Sequence, residues 1–141
     1  MNFRTSVLSS RFRFFLSLPM LLQMAVMLAM ASEGRPAMTL LFPDAALHVI
    51  AYIILGVLAW IAWLGIAPET PPRRLYLYSA VTAILFGALD ESTQLFSPAR
   101  TAQLDDWIAD IAGTLISLIL IAAGRRIIHH WTGRTARRIS S

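Results

Sequence analysis

The sequence predicts an all-α fold, an integral membrane four-helix bundle with N-terminus and C-terminus cytoplasmic. Three observations carry that expectation. The chain of 141 residues is 57% hydrophobic and only 14% charged, too little polar surface to cover a soluble domain of this size. Its apolar residues gather in four long runs separated by connectors with Pro, Gly or charged residues. Its net charge of +4 comes from twelve basic residues, all Arg, that flank the runs. That placement fits a bilayer better than a nucleic acid.

The expected organisation is a basic cytoplasmic N-terminus at residues 1–13, a transmembrane domain at 14–124 and a basic cytoplasmic tail at 125–141. The first span, 14–31, carries no charge. Its Arg-rich approach and the Ala29-Met30-Ala31 ending also resemble a cleavable signal peptide. The length of the run and the Pro19 interruption favour a retained span. The second span, 45–67, contains only His48 as an ionisable group, and Asp44 after Pro43 is a natural N-cap. Residues 67–72, with Pro68, Pro71 and Pro72, break the chain before the third span, 75–96. Asp90 and Glu91 lie in the last third of that span, and Ser97-Pro98 ends it. The fourth span, 107–124, contains Asp110 and has Asp105 or Asp106 as its expected cap. Spans of 18–23 residues suffice to cross about 30 Å of hydrocarbon.

Charge sets the expected orientation. Ten of the twelve Arg residues, all but Arg35 and Arg100, fall on one side of this topology, and seven of the eight acids on the other. Arg-rich connectors stay in the cytoplasm. Trp60, Trp63, Tyr76, Tyr78 and Trp131 suit the inner interface, and Trp107 the outer one. The tail from Arg125 reads as an anchor on anionic lipid, with adjacent His129 and His130 as a secondary metal-binding possibility. The absence of Cys excludes disulfides, thiolate metal sites and thiol nucleophiles.

Ionisable groups inside a bilayer are costly and therefore functional suspects. Asp44, His48, Tyr52 and Gly56 recur every four residues and share one helix face. Gly87, Asp90, Glu91 and Gln94 form a face on the third helix, and Asp106, Asp110, Gly113 and Ser117 one on the fourth. The up-down topology brings His48, Asp90, Glu91, Gln94 and Asp110 to one depth, one to two turns below the outer surface. The Gly113-Ser117 pair suits close helix packing. Arg100 either lies in a solvated loop or reaches back to the acids as their counter-ion.

The run Gly87-Ala-Leu-Asp90-Glu91-Ser-Thr-Gln94-Leu-Phe96-Ser-Pro98-Ala-Arg100 resembles the signature of the VanZ-like membrane proteins. The Asp44-x3-His48-x3-Tyr52 stripe before it and the Asp106-x3-Asp110-x2-Gly113 element after it agree in order and spacing. The resemblance covers about residues 40–124. Two positions depart from the pattern: Asp110, where the family often has Asn, and Ser117, where a second Gly is common. The resemblance implies a multi-pass protein of the cytoplasmic (inner) membrane, in a family whose namesake is associated with resistance to the lipoglycopeptide teicoplanin. A phosphotransbutyrylase label used for some members has no support here, since the sequence holds no Gly-rich phosphate loop and no soluble domain.

Three function classes follow. The first is cell-envelope homeostasis or glycopeptide susceptibility, through an outer pocket of Asp44, His48, Tyr52, Asp90, Glu91, Gln94, Arg100, Asp106 and Asp110. That pocket would bind or remodel a membrane lipid, a lipid-linked envelope molecule or a lipophilic antibiotic by a cationic or hydrogen-bonding group. The second is an enzyme acting on a lipid-linked substrate, with His48 as acid or base and Asp90 or Glu91 as its partner; no HExxH or GxSxG motif accompanies it. The third is a small ion-coupled transporter. No cofactor and no nucleic-acid partner are expected. His48, Glu91 and Asp110 are a secondary metal-ligand set, and homo-oligomers are compatible with the chain.

Overall fold

A computed structural model of the chain describes residues 10–33, 42–96 and 103–139. They form α1 (Ser10–Phe15), α2 (Leu18–Glu33), α3 (Asp44–Ile66), α4 (Pro72–Gln94) and α5 (Leu104–Ile139), with no strand among the described residues. α1 and α2 together make the first arm of a four-helix bundle.

The break within that arm falls at Leu16 and Ser17, and Pro19 explains it. A proline nitrogen cannot bond the carbonyl four residues back, and its ring crowds that carbonyl. The chain tightens instead: the Leu16 and Ser17 amides bond the Arg13 and Phe14 carbonyls at 3.2 and 3.0 Å, and Ser17 Oγ donates to the Phe14 carbonyl at 2.7 Å. α2 then packs against α3 and α4. Gln23 Nε2 donates to the Ala51 carbonyl of α3 at 2.8 Å, and Met20 joins the core with Tyr52, Leu55, Ala59, Ala62, Ala83 and Phe86.

The capping expectations need correction. Pro43, with φ −55° and ψ 139°, occupies the cap position of α3, so Asp44 is the first helical residue and not the cap. Asp105 and Asp106 likewise lie inside the first turn of α5. The Gln103 carbonyl accepts from the Asp106 and Trp107 amides at 3.0 and 3.5 Å, which puts Gln103 at the cap. All three carboxylates still lie by a helix N-terminus, where negative charge is favoured. At the other end, Ala67 leaves helical geometry (φ −131°, ψ 63°), as a residue before proline does, and Pro72 opens α4 at its first position.

Among the described residues, three segments are long and apolar enough to cross a membrane by length and composition: Phe12–Ala31, Asp44–Ile66 and Leu104–Thr132. α4, expected as the third span, is not one of them. Its sequence includes Arg73, Arg74, Asp90 and Glu91, which lower its average hydropathy. Its apolar residues are nevertheless sorted. Leu77, Val81, Leu85 and Leu89 are exposed in one stripe, while Ser79, Asp90 and Gln94 are buried. A helix with its polar groups turned into the bundle and an apolar stripe turned out is suited to lipid. α5 has 36 residues, about 54 Å at the helical rise and well beyond a bilayer core of about 30 Å. The basic tail from Arg125 thus continues the helix.

α3 and α5 are the most intimately packed pair, and missing side chains permit it. A Cβ at Gly113 would collide with the Val49 carbonyl and approach Tyr52 Cβ to 3.0 Å; one at Gly56 would collide with Ser117. The Arg-bearing end carries two aromatic pairs between α3 and α4. Trp60 packs on Tyr76 at 4.5 Å between centroids, Trp63 on Tyr78 at 5.0 Å, and Arg125 lies 5.5 Å over the Trp60 ring. The start of α3, the end of α4 and the start of α5 meet at the opposite, acidic end.

Candidate functional site

The acidic end draws one stripe from each of three helices. His48 and Tyr52 come from α3; Asp90, Glu91 and Gln94 from α4; Asp106 and Asp110 from α5. His48 Nδ1 and Asp110 Oδ1 lie 2.8 Å apart. His48 is 8% exposed and Asp110 is fully buried at 0%, so one proton held between them stands out of water. Asp90 or Glu91 was the expected partner of His48; its bonded partner is Asp110 on α5.

Gly87 makes room for this pair. A Cβ there would stand 3.0 Å from Asp110 Oδ2 and 3.1 Å from Trp107 Cδ1. Asp110 Oδ2 and the Tyr52 hydroxyl are both buried without a close hydrogen bond; the two side chains pair with each other at longer range, and Asp90 and Glu91 also act electrostatically on Tyr52. Its ring lies 6.4 Å from that of Phe86.

Glu91 is half-buried and joins this interior to the bundle surface. Its Oε2 accepts the Gln103 amide at 3.1 Å and its Oε1 the Gln94 side chain at 3.4 Å. Beside it a shallow groove of about 300 Å³ opens between α4 and α5. Ala88, Leu95, Leu104 and Trp107 give it apolar walls, with Glu91, Ser92 and Gln103 as its polar members. Trp107 is fixed in the wall by its indole N–H, which bonds the Ile84 carbonyl at 3.3 Å.

Donor atoms of His48, Glu91 and Asp110 all lie within 4.8 Å of one another, and so do those of Asp44, His48 and Asp106. The imidazole therefore belongs to two carboxylate pairs. Asp44 is half-buried, Asp90, Gln94 and Asp106 are buried, and Asp105 is exposed. Arg100 lies outside the described residues. Chemically, such a site can move a proton along the His48–Asp110 contact or present carboxylate oxygens to a positive partner.

Sequence reasoning missed three participants. Thr114 is buried with its hydroxyl unpartnered, and its spacing of four from Asp110 could have revealed it. Trp107 was read as an interfacial residue and is a groove wall. Gln103 acts through its backbone amide, which no residue pattern signals.

The family model described as VanZ/LLP1 matches residues 3–127. The chain belongs to the VanZ/LLP1 family. The match takes in α1 and α2 as well as the signature region, so the first arm is part of the VanZ/LLP1 unit. No curated protein and no solved structure matches the chain. In this VanZ/LLP1 protein, the two departures noted in the sequence have structural places. Asp110 is the residue that bonds His48, and Ser117 lies against Gly56, so the glycine of that contact is supplied by α3.

Proposed function

We propose that this VanZ/LLP1 protein is a multi-pass protein of the cytoplasmic membrane, with both termini inside and the acidic site in the outer leaflet. There it binds or remodels a membrane lipid, a lipid-linked envelope molecule or a lipophilic antibiotic, acting in envelope homeostasis or glycopeptide susceptibility. The observation that carries this reading is the groove between α4 and α5, apolar along its walls and reaching Glu91, whose carboxylate is within 4.8 Å of donor atoms of His48 and Asp110. An acyl or prenyl chain fits the walls, and a hydrogen-bonding or cationic head fits the acids. The segregation of exposed Arg73, Arg74 and Arg126 to the opposite end supports the orientation.

The test is envelope lipid and cell-wall-precursor profiling of a deletion strain complemented with wild type or Glu91→Gln at matched membrane abundance. Loss of a charge-assisted hydrogen bond is worth about 1.5–3 kcal/mol, about 10- to 150-fold in affinity. The expected result is one species that accumulates on deletion, is cleared by wild type and persists with Glu91→Gln. Identical profiles in all strains would contradict the proposal. A second reading is favoured by the 2.8 Å His48–Asp110 contact: remodelling by general acid-base catalysis, with His48 oriented by Asp110. Conversion of the accumulating species by purified protein would establish that form.

A further inference from the structure

We propose that His48, Glu91 and Asp110 bind a divalent transition-metal cation, Zn²⁺ or Mn²⁺, at the inner end of the α4–α5 groove. The inference deepens the proposed function, because it rests on the same pocket selecting a positive partner and says what that partner is. Three observations support it.

The first is the donor set. One imidazole and two carboxylates from three different helices have ligand atoms within 4.8 Å of one another. Ligands about 2.0–2.2 Å from a tetrahedral metal stand about 3.3–3.5 Å apart, so side-chain rotation of about an ångström closes the set. The positions are held by packing, since Gly87 lets Asp110 lie against α4.

The second is an oxygen that asks for a partner. Asp110 is fully buried, one of its oxygens meets His48 and the other, Oδ2, has no close hydrogen bond. The Tyr52 hydroxyl, on a side chain also 0% exposed, reaches Asp110 only at long range and has no close bond of its own. Buried polar oxygens are costly to leave unsatisfied, and a metal coordinated by Asp110 satisfies the carboxylate directly.

The third is charge balance. A dication offsets the two ligand carboxylates and, through the field, the neighbouring Asp106 that acts on all three ligands. The ligands bind deprotonated, so metal entry releases the proton shared by His48 and Asp110. The mixed nitrogen and oxygen set suits Zn²⁺ or Mn²⁺ better than a purely oxygen-seeking cation. The alternative set of Asp44, His48 and Asp106 lacks Glu91, the carboxylate that lines the groove. A bound metal would also give the groove a Lewis acid facing the head group of its occupant.

The test uses the full chain, purified in nanodiscs and stripped with a chelator, with Zn²⁺ and Mn²⁺ alone as probes. Calorimetry is expected to give one equivalent of metal per chain. Glu91→Gln and Asp110→Asn should each weaken binding at least about 10-fold, and His48→Gln should remove the imidazole nitrogen coupling from the Mn²⁺ electron spin echo spectrum. The His129→Ala/His130→Ala variant should bind as wild type. Absence of binding, binding unaltered in Glu91→Gln and Asp110→Asn, or binding lost in the His129/His130 variant would each overturn the proposal. Half-buried Glu91 keeps the test decisive if a variant of the fully buried Asp110 fails to fold. The probe is the metal alone, so its failure is distinct from an unchanged envelope profile.

Discussion

Replacing His48 with Ala is expected to cost about 3–5 kcal/mol of stability, the loss seen when one member of a buried ionic pair is removed. Asp110 is 0% exposed, and without His48 its Oδ1 loses a partner at 2.8 Å while Oδ2 has no close bond to compensate. The Asp110→Ala change removes the stranded carboxylate, so the double variant should be more stable than the two single losses sum to. Equilibrium unfolding of all four proteins in detergent closes the cycle. A coupling of about 1.5 kcal/mol or more is expected. Ordinary interhelical hydrogen bonds in membranes couple by about 0.6 kcal/mol. A value at or below that would mean that the pair is packing detail and not the centre of the site.

Gly113→Leu is expected to disrupt the bundle altogether. The first carbon of any side chain at this position meets the Val49 carbonyl and comes within 3.1 Å of its carbonyl carbon. Those are backbone atoms of α3, so relief requires the two most closely packed helices to separate. Even Gly113→Ala should cost about 1–3 kcal/mol, the usual range for overpacking. Gly124→Ala is the control on the same helix. Nothing lies within 4 Å of a Cβ there, so the change should be neutral or stabilising by up to about 1 kcal/mol through helix propensity. Equal effects at the two positions, measured by thermal denaturation, would remove close α3–α5 contact from the account.

The faces of the site were legible because helical spacing is rigid. Residues 44, 48 and 52 on one helix, 87, 90, 91 and 94 on another, and 106 and 110 on a third can be placed by counting. The topology then puts them at one end without any knowledge of packing. The partner of His48 was not legible. Asp90, Glu91 and Asp110 lie at similar depth, and helix rotation chooses among them through contacts such as Gly87 with Asp110. Hydropathy alone also undervalues α4. An average cannot register that its polar residues face inward and Leu77, Val81, Leu85 and Leu89 outward. The caps were misread because Pro43 itself takes the position given to Asp44, and because Gln103 caps α5 through its main chain. The helical continuation of the basic tail goes with a stretch that holds no Pro after residue 104.

The central claim is that a lipid-linked occupant reaches the acidic site through the groove between α4 and α5. Site-specific photocrosslinking in living cells tests it most directly. A photoreactive residue would replace Ser92, in the groove, or Leu120, exposed elsewhere on α5. The adducts would be identified by mass spectrometry, with and without Glu91→Gln. The expected result is one envelope species captured at position 92, absent at 120 and lost when Glu91 is changed. The same bulk phospholipids at both positions, unaffected by Glu91→Gln, would contradict the account.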